Sequence, residues 1–133
     1  MAKILLVEDS PNTVELLAEY LQDSNLEVVV ATYAPQGVSM AKSERPDLIL
    51  MDWSLPDQPG GVEHPRHGQA ATRAIRAIDE LKDVPIIAVS ASRFPHEEQE
   101  MRQAGCTAIV SKPFDLDKLL ETITSLLAAG TKR

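Results

Sequence analysis

Ile4-Leu5-Leu6-Val7-Glu8-Asp9 and Leu48-Ile49-Leu50-Met51-Asp52 decide how this chain folds: each is an unbroken apolar run that stops in acid. A strand with one wet face alternates apolar and polar residues, whereas a continuous run is buried on both faces, as in a parallel sheet covered by helices. Three further runs have the same character, so five strands are expected at 4–7, 28–31, 48–51, 86–89 and 108–110.

Helical periodicity fills the gaps between the runs. Ser10-Pro11 forms an N-cap and first-turn pair before Val14, Leu17, Ala18 and Leu21. Pro35 opens a second helix toward Glu44. A third is expected over 70–81, with Ala71, Ala74, Ile75 and Ile78 on one stripe. Pro95 opens a fourth that ends at Gly105, and Asp115 caps a fifth carrying Leu116, Leu119, Leu120, Ile123, Leu126 and Leu127. Residues 130–133 read as a frayed tail after a single domain over 1–129. Strands alternating with helices specify an α/β fold, a doubly wound parallel sheet with helices on both faces and right-handed crossovers.

Composition bounds the function. The chain has 133 residues, 44% hydrophobic and 25% charged, enough for a packed core without staples. A formal charge of -7 with no basic cluster argues against nucleic acid, whose phosphates attract basic faces. Neither a membrane-length apolar run nor a signal peptide is visible, so no membrane partner is expected. Cys106 is the single cysteine, which fits a reducing cytoplasm and a buried structural thiol.

Polar groups follow the strands at their C-terminal ends: Glu8-Asp9, Asp52, Ser90 and Ser111-Lys112. Ligands of open parallel sheets bind outside those ends, so groups on four strands point to one site. A lone strand-end acid would mean little; four such ends together argue against ordinary polar termini. Three gathered carboxylates repel and raise one another's pKa, and a hard divalent cation such as Mg2+ removes the conflict. A carboxylate beside that cation can attack a phosphoryl donor to form an acyl phosphate. Lys112 and the Ser90 hydroxyl can then bond phosphoryl oxygens.

Ile4-Leu5-Leu6-Val7-Glu8-Asp9-Ser10, Leu48-Ile49-Leu50-Met51-Asp52, Val89-Ser90-Ala91 and Ser111-Lys112-Pro113-Phe114 together resemble the receiver domain of two-component response regulators. The resemblance covers nearly the whole chain. It implies a flavodoxin-like sheet of order 2-1-3-4-5, with Asp52 as phosphoacceptor and Mg2+ held by Glu8, Asp9, Asp52 and the Ser54 backbone carbonyl. Ser90 and Lys112 become the hydroxyl and basic partners of the phosphoryl group, and the Lys112–Pro113 bond is expected to be cis. Ser54 and Ser92 flank the phosphoryl group in the family, and both are small here. The implied partners are a histidine kinase or histidine phosphotransfer protein and a downstream protein target, with output by protein–protein contact through the fourth helix, fifth strand and fifth helix. At this length no DNA-binding or catalytic output domain is expected beside the receiver. A receiver cut from a hybrid histidine kinase would look the same, and a receiver-fold binding module that switches little is the other alternative. A dedicated aspartate-based phosphatase is disfavoured, because such enzymes place a second aspartate two residues after the nucleophile and this chain has Ser54 there.

Two positions depart from the family pattern. Ile109 stands where receivers often carry Tyr or Phe, which puts aromatic gating of the output face in doubt. Pro56 and Gly68 are 12 positions apart where the usual spacing is four, so an insert of about eight residues is expected within 57–67. Its Pro and Gly content suggests a surface excursion. A partner-docking loop and a metal site through Glu63, His64 and His67 are the alternatives, and its position allows it to form part of the rim of the site. Trp53 is expected to lie partly exposed beside Asp52, with fluorescence that responds to Mg2+.

Overall fold

The computed structural model of the chain describes residues 1–91 and 95–131. Five strands form one parallel sheet: β1 (Lys3–Val7), β2 (Glu27–Ala31), β3 (Leu48–Asp52), β4 (Ile86–Ser90) and β5 (Ala108–Ser111). Their order is β2-β1-β3-β4-β5, as the family resemblance implied. Five helices connect or follow them: α1 (Pro11–Asp23), α2 (Ala34–Glu44), α3 (Pro65–Arg76), α4 (Pro95–Ala104) and α5 (Leu116–Thr131).

The unbroken apolar runs are explained by what covers each face. Side chains alternate across a strand, so odd and even positions serve different cores. Leu5, Val7, Ile49 and Met51 pack with Ala41 of α2, Ala71 and Ile75 of α3, and Met101 and Ala104 of α4. Ile4, Leu6, Leu48 and Leu50 pack with Leu17 and Leu21 of α1 and Leu119 and Ile123 of α5. Burying a Leu or Ile side chain of this kind stabilises a fold by about 1.5–3 kcal/mol, so both layers are needed.

Most helix punctuation appears where it was expected. Gly105, at φ +119°, follows α4, and Asp115 Oδ1 accepts from the Lys118 N–H at 3.2 Å in the first turn of α5. Helix α5 continues through Gly130 to Thr131, so the helix reaches into the expected tail; 132 and 133 lie outside the described residues. Ser10 occupies the cap position of α1, but its side chain makes no capping bond; Pro11 supplies the preset first turn.

Helix α3 differs from the expectation of 70–81. It starts five residues earlier, at Pro65, and ends at Arg76, with a separate 3-10 turn over Asp79–Leu81. His64 causes the early start: its Nδ1 accepts from the Arg66 N–H at 2.9 Å, and Pro65 sets the first helical φ. Gly68, expected near the start of the helix, is its fourth residue and faces backbone. A Cβ there would lie 2.4 Å from the Trp53 carbonyl oxygen, so only glycine lets α3 approach the chain leaving β3 this closely.

Candidate functional site

Register brings the strand ends together. Val7 pairs with Met51, Asp52 with Val89, and Ser90 with Ser111, so the residues just beyond β1 lie beside Asp52, and Lys112 lies just beyond β5. The exits of the strands are held by backbone bonds: Glu8 N–H to Ala31 O at 2.9 Å, Trp53 N–H to Val89 O at 2.9 Å and Lys112 N–H to Ser90 O at 2.9 Å. The Lys112–Pro113 bond is cis.

Glu8, Asp9, Ser10, Thr13, Asp52, Ser54, Glu63, Ser90, Ala91 and Lys112 line a cleft of about 420 Å³ at these ends. The six residues that the family resemblance assigns to the site, Glu8, Asp9, Asp52, Ser54, Ser90 and Lys112, are all among them. Glu8, Asp9 and Asp52 each present a carboxylate oxygen, and these lie within 4.8 Å of one another. Glu8 is 2% exposed and Asp52 5%. Lys112 Nζ reaches both, 3.3 Å from Glu8 Oε1 and 3.4 Å from Asp52 Oδ2. The Ser54 N–H donates to Asp52 Oδ1 at 3.2 Å, and the Ser10 N–H donates to Glu8 Oε2 at 3.0 Å. Ser92 lies outside the described residues.

One ammonium does not neutralise this acid. Burial, followed by the charge and hydrogen bond of Glu8, lifts Asp52 to about 8, although Lys112 and the Ser54 N–H act in the opposite direction. For Lys112, burial pulls the pKa down, but the carboxylates of Asp52 and Glu8 outweigh it and the net shift is upward.

The donor set fits a hard divalent cation. Asp9 Oδ1 is buried without a hydrogen-bond partner, which is costly for an acceptor unless something else satisfies it. Asp9 belongs to a group of three carboxylates with oxygens close enough to share one ion, as oxygen-seeking cations require.

The insert is held at both ends. Leu55 and His64 form an isolated antiparallel bridge, with the His64 N–H donating to Leu55 O at 3.1 Å. His67 Nδ1 donates to the same carbonyl at 2.6 Å, and its Nε2 lies 3.8 Å from Asp57 Oδ2. The Ala34 N–H donates to Pro56 O at 2.9 Å. The segment is therefore a surface excursion with an anchored base rather than an open loop. The two histidines are engaged in capping α3 and bracing Leu55, while Glu63 reaches the cleft instead. The expected rim position is borne out for that residue, and Glu63, His64 and His67 do not gather around a metal position of their own.

Trp53 corrects another expectation. It is 2% exposed and packs in the core with Met51, Leu55 and Ile75, so it does not lie partly exposed at the rim. Strand parity explains this: Trp53 continues the odd-numbered face of β3 inward. Cys106 is buried as expected, and burial pushes its thiol up to about 11. Ile109 is partly buried against the core layer that holds Met101. No helix of the described residues is long and apolar enough to cross a membrane.

Such a sheet, with acids, hydroxyl and lysine at its C-terminal edge, defines the receiver class. The chain belongs to the response regulator receiver domain family, whose model matches residues 4–124. It is 34% identical over 124 residues to the polar-differentiation response regulator DivK of Brucella anthropi, covering 93% of this chain and 94% of that protein. Among solved structures it is similar to the receiver domain of sensor histidine kinase PA1611 from Pseudomonas aeruginosa, crystallised with magnesium in its active-site cleft. That match has 31% identity and a TM-score of 0.82, covering 96% of this chain and 98% of the other. The chemotaxis protein CheY4 of Vibrio cholerae matches at 28% identity and a TM-score of 0.83, over 95% and 98% of the two chains. Proteins of this family work in two-component systems with kinase or phosphorelay partners.

Proposed function

We propose that Asp52 accepts a phosphoryl group from a histidine kinase or histidine phosphotransfer protein, and that the domain signals the event by protein–protein contact. The observation that carries this reading is the gathering of Glu8, Asp9 and Asp52 carboxylate oxygens within 4.8 Å of one another, with Lys112 Nζ 3.4 Å from Asp52 Oδ2. The similarity to the PA1611 receiver, crystallised with magnesium, supports Mg2+ as the cation.

In the forward step an Asp52 carboxylate oxygen attacks phosphorus. The bond from phosphorus to the donor nitrogen breaks, and its electron pair stays on the imidazole, which takes up a proton. Glu8, Asp9, Asp52 and the Ser54 carbonyl would hold Mg2+, which supplies positive charge that keeps the carboxylates ionised and offsets that of the phosphoryl oxygens. Lys112 stands ready to pair with one of those oxygens, exchanging a carboxylate contact for a phosphoryl one. The Ser90 hydroxyl, on the same rim, donates to another. Output runs through α4, β5 and α5 to a downstream protein.

The test is intact mass after incubation with Mg2+ and acetyl phosphate. Wild type is expected to gain one acid-labile phosphoryl group, and Asp52→Asn none. An unmodified wild type, with any donor, would favour a binding module that does not switch. The PA1611 match also favours a second reading of context, in which the domain works as the receiver of a hybrid histidine kinase; reverse transfer from phosphorylated domain to a kinase histidine would mark that arrangement.

A further inference from the structure

Glu63 is the one cleft-lining side chain that comes from the insert rather than from a strand end or α1. Its carboxylate faces the same space as that of Asp9, which also lines the cleft. Among the described residues the cleft thus gathers four carboxylates, Glu8, Asp9, Asp52 and Glu63, and one ammonium, that of Lys112. Lys112 is held by Glu8 and Asp52, so it offsets only part of the charge where Glu63 meets Asp9.

The placement is structural rather than incidental. His64, the neighbour of Glu63, is fixed twice, by its backbone bond to Leu55 O and by its cap on α3. Leu55 is itself three residues beyond Asp52 and fully buried. The anchor of the insert is therefore referenced to the same strand that carries the phosphoacceptor, and Glu63 is held over the Asp9 side of the cleft. A carboxylate kept against another carboxylate is unfavourable alone and favourable when a cation lies beside both.

We propose that Glu63 is a fourth carboxylate of the divalent-cation site, acting on the ion directly or through a bound water, so that the insert strengthens cation binding. This rests on the reading of the cleft as the cation site. Glu63 is exposed, so its charge is screened and its effect is moderate, about 3- to 10-fold in affinity.

Calorimetric titration of the full chain with MgCl2 tests this, using wild type, Glu63→Gln, Asp57→Asn and Asp52→Asn. Asp57 is an insert carboxylate that does not line the cleft and serves as the charge control. Expected are measurable binding by wild type, about 3- to 10-fold weaker binding by Glu63→Gln, unchanged binding by Asp57→Asn and loss in Asp52→Asn. Thermal melts in chelator should show Glu63→Gln at least as stable as wild type, because one like charge has gone; a lowered melt would mean a packing role and overturn the proposal. Equal affinity of Glu63→Gln and wild type would overturn it while leaving the cation site intact, as would equal weakening by Asp57→Asn. No Mg2+ binding by wild type, or full binding by Asp52→Asn, would overturn both the proposal and the reading of the cleft.

Discussion

Lys112 Nζ stands 3.4 Å from Asp52 Oδ2, joining the ends of two strands that are 60 residues apart in sequence. That contact lowers the Asp52 pKa but does not win: burial and Glu8 leave it at about 8. The folded chain therefore binds this proton more tightly than the unfolded one, whose aspartate titrates near 4. Below about pH 4 both states are protonated and nothing is lost. As pH rises from about 4 to 8 the unfolded state gives up the proton first, so stability falls, levelling off above 8. In chelator, wild type should lose a few kcal/mol across that window and Asp52→Asn should not. Urea midpoints measured at intervals from pH 4 to 8 decide it; parallel curves for the two proteins would show that Asp52 is ionised in the metal-free fold.

The strand ends that make up this pair were legible because they obey a simple rule: a run buried on both faces has no polar residue until it leaves the sheet. Leu48-Ile49-Leu50-Met51-Asp52 announces both the strand and its functional end. What depends on tertiary contact was less visible. Trp53 looked like a rim residue because it follows Asp52, yet the period of two that places Asp52 at the cleft turns Trp53 to the other face. The start of α3 was hidden because Pro65 and Gly68 both read as loop residues. Pro65 acts as a first-turn residue only because His64 caps the helix, and Gly68 is helical because the backbone of Trp53 crosses it. The reach of Glu63 into the cleft follows from the Leu55–His64 bridge, a pairing of two residues whose separation gives no local signal.

Gly68→Ala sets two effects against each other. Alanine in a helix is better than glycine by about 1 kcal/mol. Its Cβ would sit 2.4 Å from Trp53 O and 2.8 Å from Trp53 Cα, and backbone cannot rotate out of the way as a side chain can. Overpacking of this kind costs about 1–3 kcal/mol or more, so the clash should win with a net loss of about 2 kcal/mol. Denaturant titration should show it. The same strain is transmitted to the residue next to Asp52, so Mg2+-dependent phosphorylation should also slow; an unchanged midpoint would mean that α3 can shift away freely.

His64 should be replaceable only by another capping residue. Its Nδ1 satisfies the Arg66 N–H at the start of α3. His64→Ala should cost about 1 kcal/mol, and His64→Asn should recover most of it. Limited proteolysis between 57 and 64 gives a local readout, with faster cleavage in the alanine variant alone. Equal cleavage of both variants would assign the anchoring to the Leu55 bridge rather than to the cap.

Arg76 ties the end of α3 to the turn that leads into β5. Its Nε donates to Gly105 O at 2.9 Å, its Nη1 to Leu81 O at 2.9 Å, and its Nη2 lies 3.4 Å from Thr107 Oγ1. Burial lowers the pKa of the guanidinium, and Cys106 and Asp83 act against that lowering. Bonds from a charged donor contribute about 1.5–3 kcal/mol each when buried, less at this partly buried position, so Arg76→Ala should destabilise by about 2–3 kcal/mol. Arg76→Lys keeps the charge but cannot span two carbonyls with a fixed fork, and should recover less than half. Cys106 lies beside this clamp, buried and with its thiol raised to about 11, so native wild type should react with a thiol reagent only on opening. Labelling of Cys106 should accelerate about tenfold or more in Arg76→Ala if the clamp holds the β5 entrance shut, since a tenfold change corresponds to about 1.4 kcal/mol in the opening equilibrium. Labelling at the wild-type rate, with a lowered global stability, would instead place the loss at the α3 and Leu81 end of the clamp.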